Sequence, residues 1–147
     1  MKLLLSILFF ILRAAAAVLF ISAGAAKIAN PGQFLLEIRA FEILPYWMAF
    51  STALVLPWLE LLSGLALLTM KYSSAASLIL MTLTISFINF IAIAKRNGID
   101  TDCGCFGQWN FIGGNTEHIV FNSALLGVLA LTFWRCAKLQ RIFDADR

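Results

Sequence analysis

Polar and apolar positions along the chain separate into long blocks. Four stretches of mostly apolar residues, 3–26, 47–70, 74–94 and 118–137, each reach the roughly 20 residues that a membrane-spanning helix needs. Between the first two lies a shorter stretch of different character. Asn30-Pro31 reads as a helix start, with Asn as N-cap and Pro at the first helical position. Phe34, Leu35, Ile38 and Phe41 then recur at helical spacing, Glu37 and Arg39 supply a polar side, and Leu44-Pro45 closes the segment. This pattern predicts a short amphipathic interfacial helix. Only Lys71-Tyr72-Ser73 separates the second span from the third, so those two helices are expected to be antiparallel neighbours. The predicted fold is therefore all-α: a polytopic membrane protein whose 147 residues form one domain, a four-helix transmembrane bundle with a short interfacial helix between helices 1 and 2.

Composition agrees. Hydrophobic residues make up 61% of the chain and charged residues 13%, about half the usual share of a soluble domain. The mean hydropathy is +0.89. A soluble fold of this size exposes too much surface to hide so much apolar side chain, whereas lipid removes the difficulty. The net charge of +3 is scattered and leaves no basic patch, so nucleic acid is not an expected partner. The first span also has features of a cleaved signal peptide, with Lys2 ahead of an apolar run and small residues at 22–25. Arg13 inside that run and the length of the stretch favour a retained helix. Counting Lys and Arg near the span ends gives six on the side of the termini (Lys2, Lys71, Arg135, Lys138, Arg141, Arg147) and four on the other (Lys27, Arg39, Lys95, Arg96). This bias favours cytoplasmic termini and puts the loop at 95–117 outside, in the periplasm of a bacterium.

Two ionisable residues interrupt the spans. Arg13 and Glu60 each lie 12 or 13 residues from the outer end of their helix when Ala25 and Trp47 mark those ends. Both then sit roughly 18–20 Å deep, which predicts an Arg13–Glu60 pair, because either charge alone in lipid is costly. That pair reads either as a register lock or as a polar site for protons or a quinone. Pro57, three residues before Glu60, removes a backbone hydrogen bond and frees the carbonyl of Ala53. Ser63 and Gly64 permit close helix approach, and Thr82, Ser86 and Asn89 form a polar stripe expected to bind a neighbouring helix.

The candidate chemistry lies in Asp102-Cys103-Gly104-Cys105-Phe106-Gly107. A disulfide between Cys103 and Cys105 closes a very small ring, and strain makes such a bond reducible. Gly104 and Gly107 lack a Cβ and tolerate the dihedrals that closure demands. A structural staple gains most from a long loop, so this pair fits a redox couple better. Zinc is a lesser reading: only His118, with Asp100 or Asp102, is available to complete the usual four ligands. Inert loop cysteines are another. His118 and Asn122, one turn apart at the start of the last span, are candidates to face the thiols, with His118 lowering a thiol pKa or taking its proton. A wetted helix-end histidine is the alternative. Cys136 stands alone and reads as a small buried apolar residue.

Three motifs together resemble the MauE family and its DoxX-like relations: Gly24-Ala25-Ala26-Lys27-Ile28-Ala29-Asn30-Pro31-Gly32-Gln33-Phe34, then Leu56-Pro57-Trp58-Leu59-Glu60 with Gly64, then Cys103-Gly104-Cys105-Phe106-Gly107. The resemblance implies a four-helix bundle in the bacterial inner membrane. It also implies a part in maturing the disulfide-rich, periplasmic small subunit of methylamine dehydrogenase. The expected function is thiol–disulfide exchange by Cys103 and Cys105 with a periplasmic thioredoxin-like or disulfide-containing protein. Quinone, near Arg13, Glu60 and Pro57, is the cofactor such a bundle would take. A second pair of outer cysteines is missing, so a partner must complete the circuit. The rival readings are a DoxX/DoxD-like quinone-linked subunit and a small transporter or assembly scaffold with structural cysteines.

Overall fold

The computed structural model describes residues 2–69, 72–98 and 115–145. They form five helices: α1 (Lys2–Ala29), α2 (Pro31–Ala40), α3 (Tyr46–Leu68), α4 (Ser73–Arg96) and α5 (Asn115–Ala145). Four of them, α1, α3, α4 and α5, contain stretches long and apolar enough to cross a membrane. Their outward faces carry large apolar side chains such as Leu8, Phe10, Leu54, Trp58 and Leu62, the surface that lipid rather than water solvates. The protein is a multi-pass membrane protein. α1, α4 and α5 run past the apolar stretches that predicted them, whereas α3 begins one residue early and stops at Leu68, two residues short. Pro31 begins α2 after Asn30, as the sequence requires, and α4 closes on Asn97 with Gly98 in the left-handed region at φ +70°.

The closest packing joins α1 to α3. Gly24 lies so near α3 that a Cβ there would come within 2.8 Å of the Pro57 carbonyl oxygen and 2.9 Å of the Leu61 nitrogen. Gly64 meets α1 in the same way, against the Ile21 side chain and the Ala17 carbonyl. One glycine on each helix thus lets two backbones touch, the small-residue contact used inside membranes. Pro57 lies within α3 without ending it.

α4 and α5 form the second antiparallel pair. Lys95 Nζ donates to Thr116 Oγ1 at 2.8 Å at one end, and the Cys136 thiol reaches Ser73 Oγ at 3.4 Å at the other. Cys136 is buried, as expected of a small apolar residue. Ala16, Ala17, Phe20, Leu67, Ala76, Leu80, Leu125 and Leu129 build a core from all four spans. A second cluster, Phe41, Ile91 and Ala94, seats the chain after α2 against α4.

Two expectations are corrected. The Thr82, Ser86 and Asn89 stripe does not bind a helix of this chain. All three are exposed, and each bonds back to its own helix, to the carbonyls of Leu78, Thr82 and Ile85. The buried row of α4 is instead Ala76, Leu80, Thr84, Ile91 and Ala94, and the stripe lies on the opposite side, with Ser86 alone reaching the edge of a cavity shared with α2 and α3. The Arg13–Glu60 pair is not formed either, for reasons of register given below.

Candidate functional site

Glu60 is 1% exposed, and its partner is Lys27, itself 3% exposed. Lys27 Nζ lies 2.8 Å from Oε1 and 2.7 Å from Oε2, so a single ammonium bridges both carboxylate oxygens. The rings of Phe34 on α2 and Phe87 on α4 flank that ammonium, each centroid 5.0 Å from Nζ. Four helices therefore contribute to one buried charge centre: Lys27 from α1, Phe34 from α2, Glu60 from α3 and Phe87 from α4. A buried pair of this kind survives only with good geometry and further partners, and the two rings supply the latter.

The register explains why Arg13 is not the partner. Gly24 lies against Pro57 and Leu61, so α1 ends near the middle of α3 rather than level with Trp47. Arg13 falls two turns further along α3, where its Nη2 donates to the Leu68 carbonyl at 2.9 Å. Eight residues, about 12 Å of helix rise, separate Leu68 from Glu60 along the axis. Lys27, counted from sequence as an outer surface charge, was the missed residue. The signal was present: Lys27 is three residues from Gly24, and Glu60 is three from Pro57 and four from Gly64, so both project from the faces that the glycines bring together.

Beside the pair lies a cavity of about 50 Å³ between α2, α3 and α4. Phe34 and Glu37, Thr52 and Leu56, and Ser86 and Phe87 line it from the three helices. Glu37 accepts from Gln33 Nε2 at 3.3 Å. Burial against this apolar wall raises its carboxyl pKa above the ordinary 4.5, opposed by the Gln33 hydrogen bond and the Lys27 charge. None of Arg13, Pro57 and Glu60 lines this cavity. Pro57 adjoins Glu60 by one turn, but Arg13 belongs to another level of the bundle, so the three residues expected to hold a quinone do not converge.

His118 and Asn122 are both buried at the start of α5. Asn122 Nδ2 donates to the His118 carbonyl at 2.8 Å. His118 Nδ1 is buried and makes no hydrogen bond among the described residues. A polar nitrogen left this way costs free energy unless another group meets it. Cys103, Gly104 and Cys105, with Asp100, Asp102 and Gly107, lie outside the described residues. The ends of the segment that holds them are drawn together by the Lys95–Thr116 bond.

The pairing of Gly24 and Lys27 with Pro57 and Glu60 draws two of the three sequence motifs into one structural unit. The family model described as "Methylamine utilisation protein MauE" matches residues 5–135. The chain belongs to the MauE family. Among curated relatives, the methylamine utilization protein MauE of Methylorubrum extorquens strain AM1 is 33% identical over 111 residues. The match covers 70% of this chain and 60% of that relative, so the chain spans about three fifths of the relative's length. No solved structure matches it. In this MauE-family chain the matched region runs through all four spans, both glycine contacts, the Lys27–Glu60 pair and the cysteine segment.

Proposed function

We propose that this protein is a membrane thiol–disulfide redox protein that supports disulfide formation in, and maturation of, a periplasmic partner. The observation that carries the reading is Cys103-Gly104-Cys105 itself, two thiols one residue apart in a membrane chain of this family. In the exchange, a thiolate of the partner attacks the Cys103–Cys105 disulfide and forms a mixed disulfide. The partner's second thiolate then displaces the bound cysteine. The partner loses two electrons and two protons and gains a disulfide, and the pair becomes a dithiol. A thioredoxin-like disulfide protein reoxidises it by the reverse route. His118 is the proton acceptor in this scheme, since its buried Nδ1 lacks a partner among the described residues at the root of that segment. The relatives' role in methylamine utilisation points to the methylamine dehydrogenase small subunit, or a protein like it, as the substrate. The bundle anchors the pair in the inner membrane with both termini cytoplasmic.

The test replaces Cys103 and Cys105 with Ser and traps thiols in living cells. The wild-type pair should be caught in both redox states, and the double variant should accumulate partner protein with unpaired thiols. A wild-type pair that never changes state, together with a fully functional double variant, sinks the reading.

A further inference from the structure

The polar stripe left over on α4 has a geometry of its own. Ile79, Thr82, Ser86, Asn89, Ile93 and Arg96 are all exposed and follow one another at intervals of three, four, three, four and three residues. They run down the side of α4 opposite its buried row. Spacing of this kind is that of a left-handed helix–helix seam. Every outward face has some such row, and those of α3 and α5 each carry a hydroxyl, Ser51 and Ser123, that bonds back to its own helix. On α3 the corresponding positions are Leu54, Trp58, Leu62 and Leu65. Among the described residues, only the α4 row adds an exposed amide to its hydroxyls within a span.

Asn89 decides what the row is for. Its Nδ2 donates once, to the Ile85 carbonyl at 2.9 Å. The second N–H and the Oδ1 acceptor make no hydrogen bond among the described residues. Hydrocarbon offers no partner for either, and inside membranes such groups are satisfied across helix contacts. An amide is both donor and acceptor, so it is complementary to its own copy across a two-fold axis. Two copies inserted in the same direction bring α4 beside α4 in parallel, with Asn89 opposite Asn89. An Asn within a seam is known to fix register and strand number.

We infer that the outward face of α4 is a homodimer interface, its partner a second copy of this chain joined through Asn89. The full-length protein, labelled and reconstituted at low density in phosphatidylcholine vesicles, tests this by counting photobleaching steps. Wild type should bleach in two steps. Asn89→Leu should weaken the dimer about tenfold or more, the equivalent of about 1.4 kcal/mol, while Asn89→Gln, which keeps the amide, should retain it. Leu62→Ala on the α3 face should leave the dimer intact. Because position 89 is exposed, the helical circular dichroism of both Asn89 variants should match wild type. Single-step bleaching of wild type across all dilutions overturns the inference. So does a dimer that Asn89→Leu leaves unchanged, and so does one that Leu62→Ala weakens as much as Asn89→Leu does.

Discussion

Two buried cations lie fourteen residues apart on α1, and they are satisfied in different ways. Arg13 and Lys27 are each 3% exposed. Arg13 donates to the carbonyl of Leu68, the last residue of α3, where free carbonyls and the negative end of the helix dipole favour a cation. That arrangement is what a helix end needs. Lys27 instead meets a carboxylate in the middle of a span, between two aromatic rings and beside a cavity. Leu or Met at both positions would fill the same space without desolvating two charges, so packing alone does not explain the pair. The comparison separates a charge that the fold requires from a pair that it does not.

The sharpest way to break that distinction is a double-mutant cycle on the pair. Glu60→Gln leaves Lys27 buried and uncompensated and should cost about 3–5 kcal/mol, read by unfolding in mixed detergent micelles. Lys27→Met should cost a similar amount. The double variant Lys27→Met with Glu60→Leu should regain most of the loss or exceed wild type. If the double variant is as unstable as the singles added together, the two groups do not couple, each is required for stability on its own, and the contrast with Arg13 disappears. Arg13→Leu is next in size. It removes one charged donor from the end of α3 and should cost about 1.5–3 kcal/mol. Arg13→Lys, which still places a cation there, should lose less.

The parts of this chain visible in its sequence were those that depend on local pattern. Four runs of about twenty apolar residues specify four spans, and Asn30-Pro31 marks the start of α2. Gly64 announced a close approach, which the structure extends to Gly24. What the sequence hid is register. Arg13 and Glu60 look level when helix ends are aligned, but the glycine contacts slide α1 along α3, so Glu60 takes Lys27. The same limit applies to α4. A stripe of Thr82, Ser86 and Asn89 specifies that something polar is met, while its position relative to the buried row decides that this is not a helix of the same chain. His118 and Asn122 share a turn, as their spacing requires, but spacing alone does not say that Nδ1 is buried without a partner.

The smallest expected effect probes the cavity side of the Lys27–Glu60 centre. Glu37 lies on α2, outside the spans, with its pKa raised chiefly by burial against the cavity wall. The folded state therefore holds its proton at pH values where the unfolded chain has already released it. The unfolded state then binds fewer protons than the folded state, so stability falls as pH rises. The fall begins near the ordinary glutamate value of 4.5 and ends once pH passes the raised one. Thermal unfolding in detergent between pH 4 and 8 should show this downward slope in wild type, and Glu37→Gln should flatten it, because a neutral amide has no proton to lose. The effect is modest because Glu37 is only partly buried and its Gln33 contact and the nearby Lys27 ammonium both favour the ionised form. A steeper slope in the variant would mean that Glu37 is stabilised as the anion, and that the Lys27 charge reaches the cavity more strongly than its two-point contact with Glu60 allows.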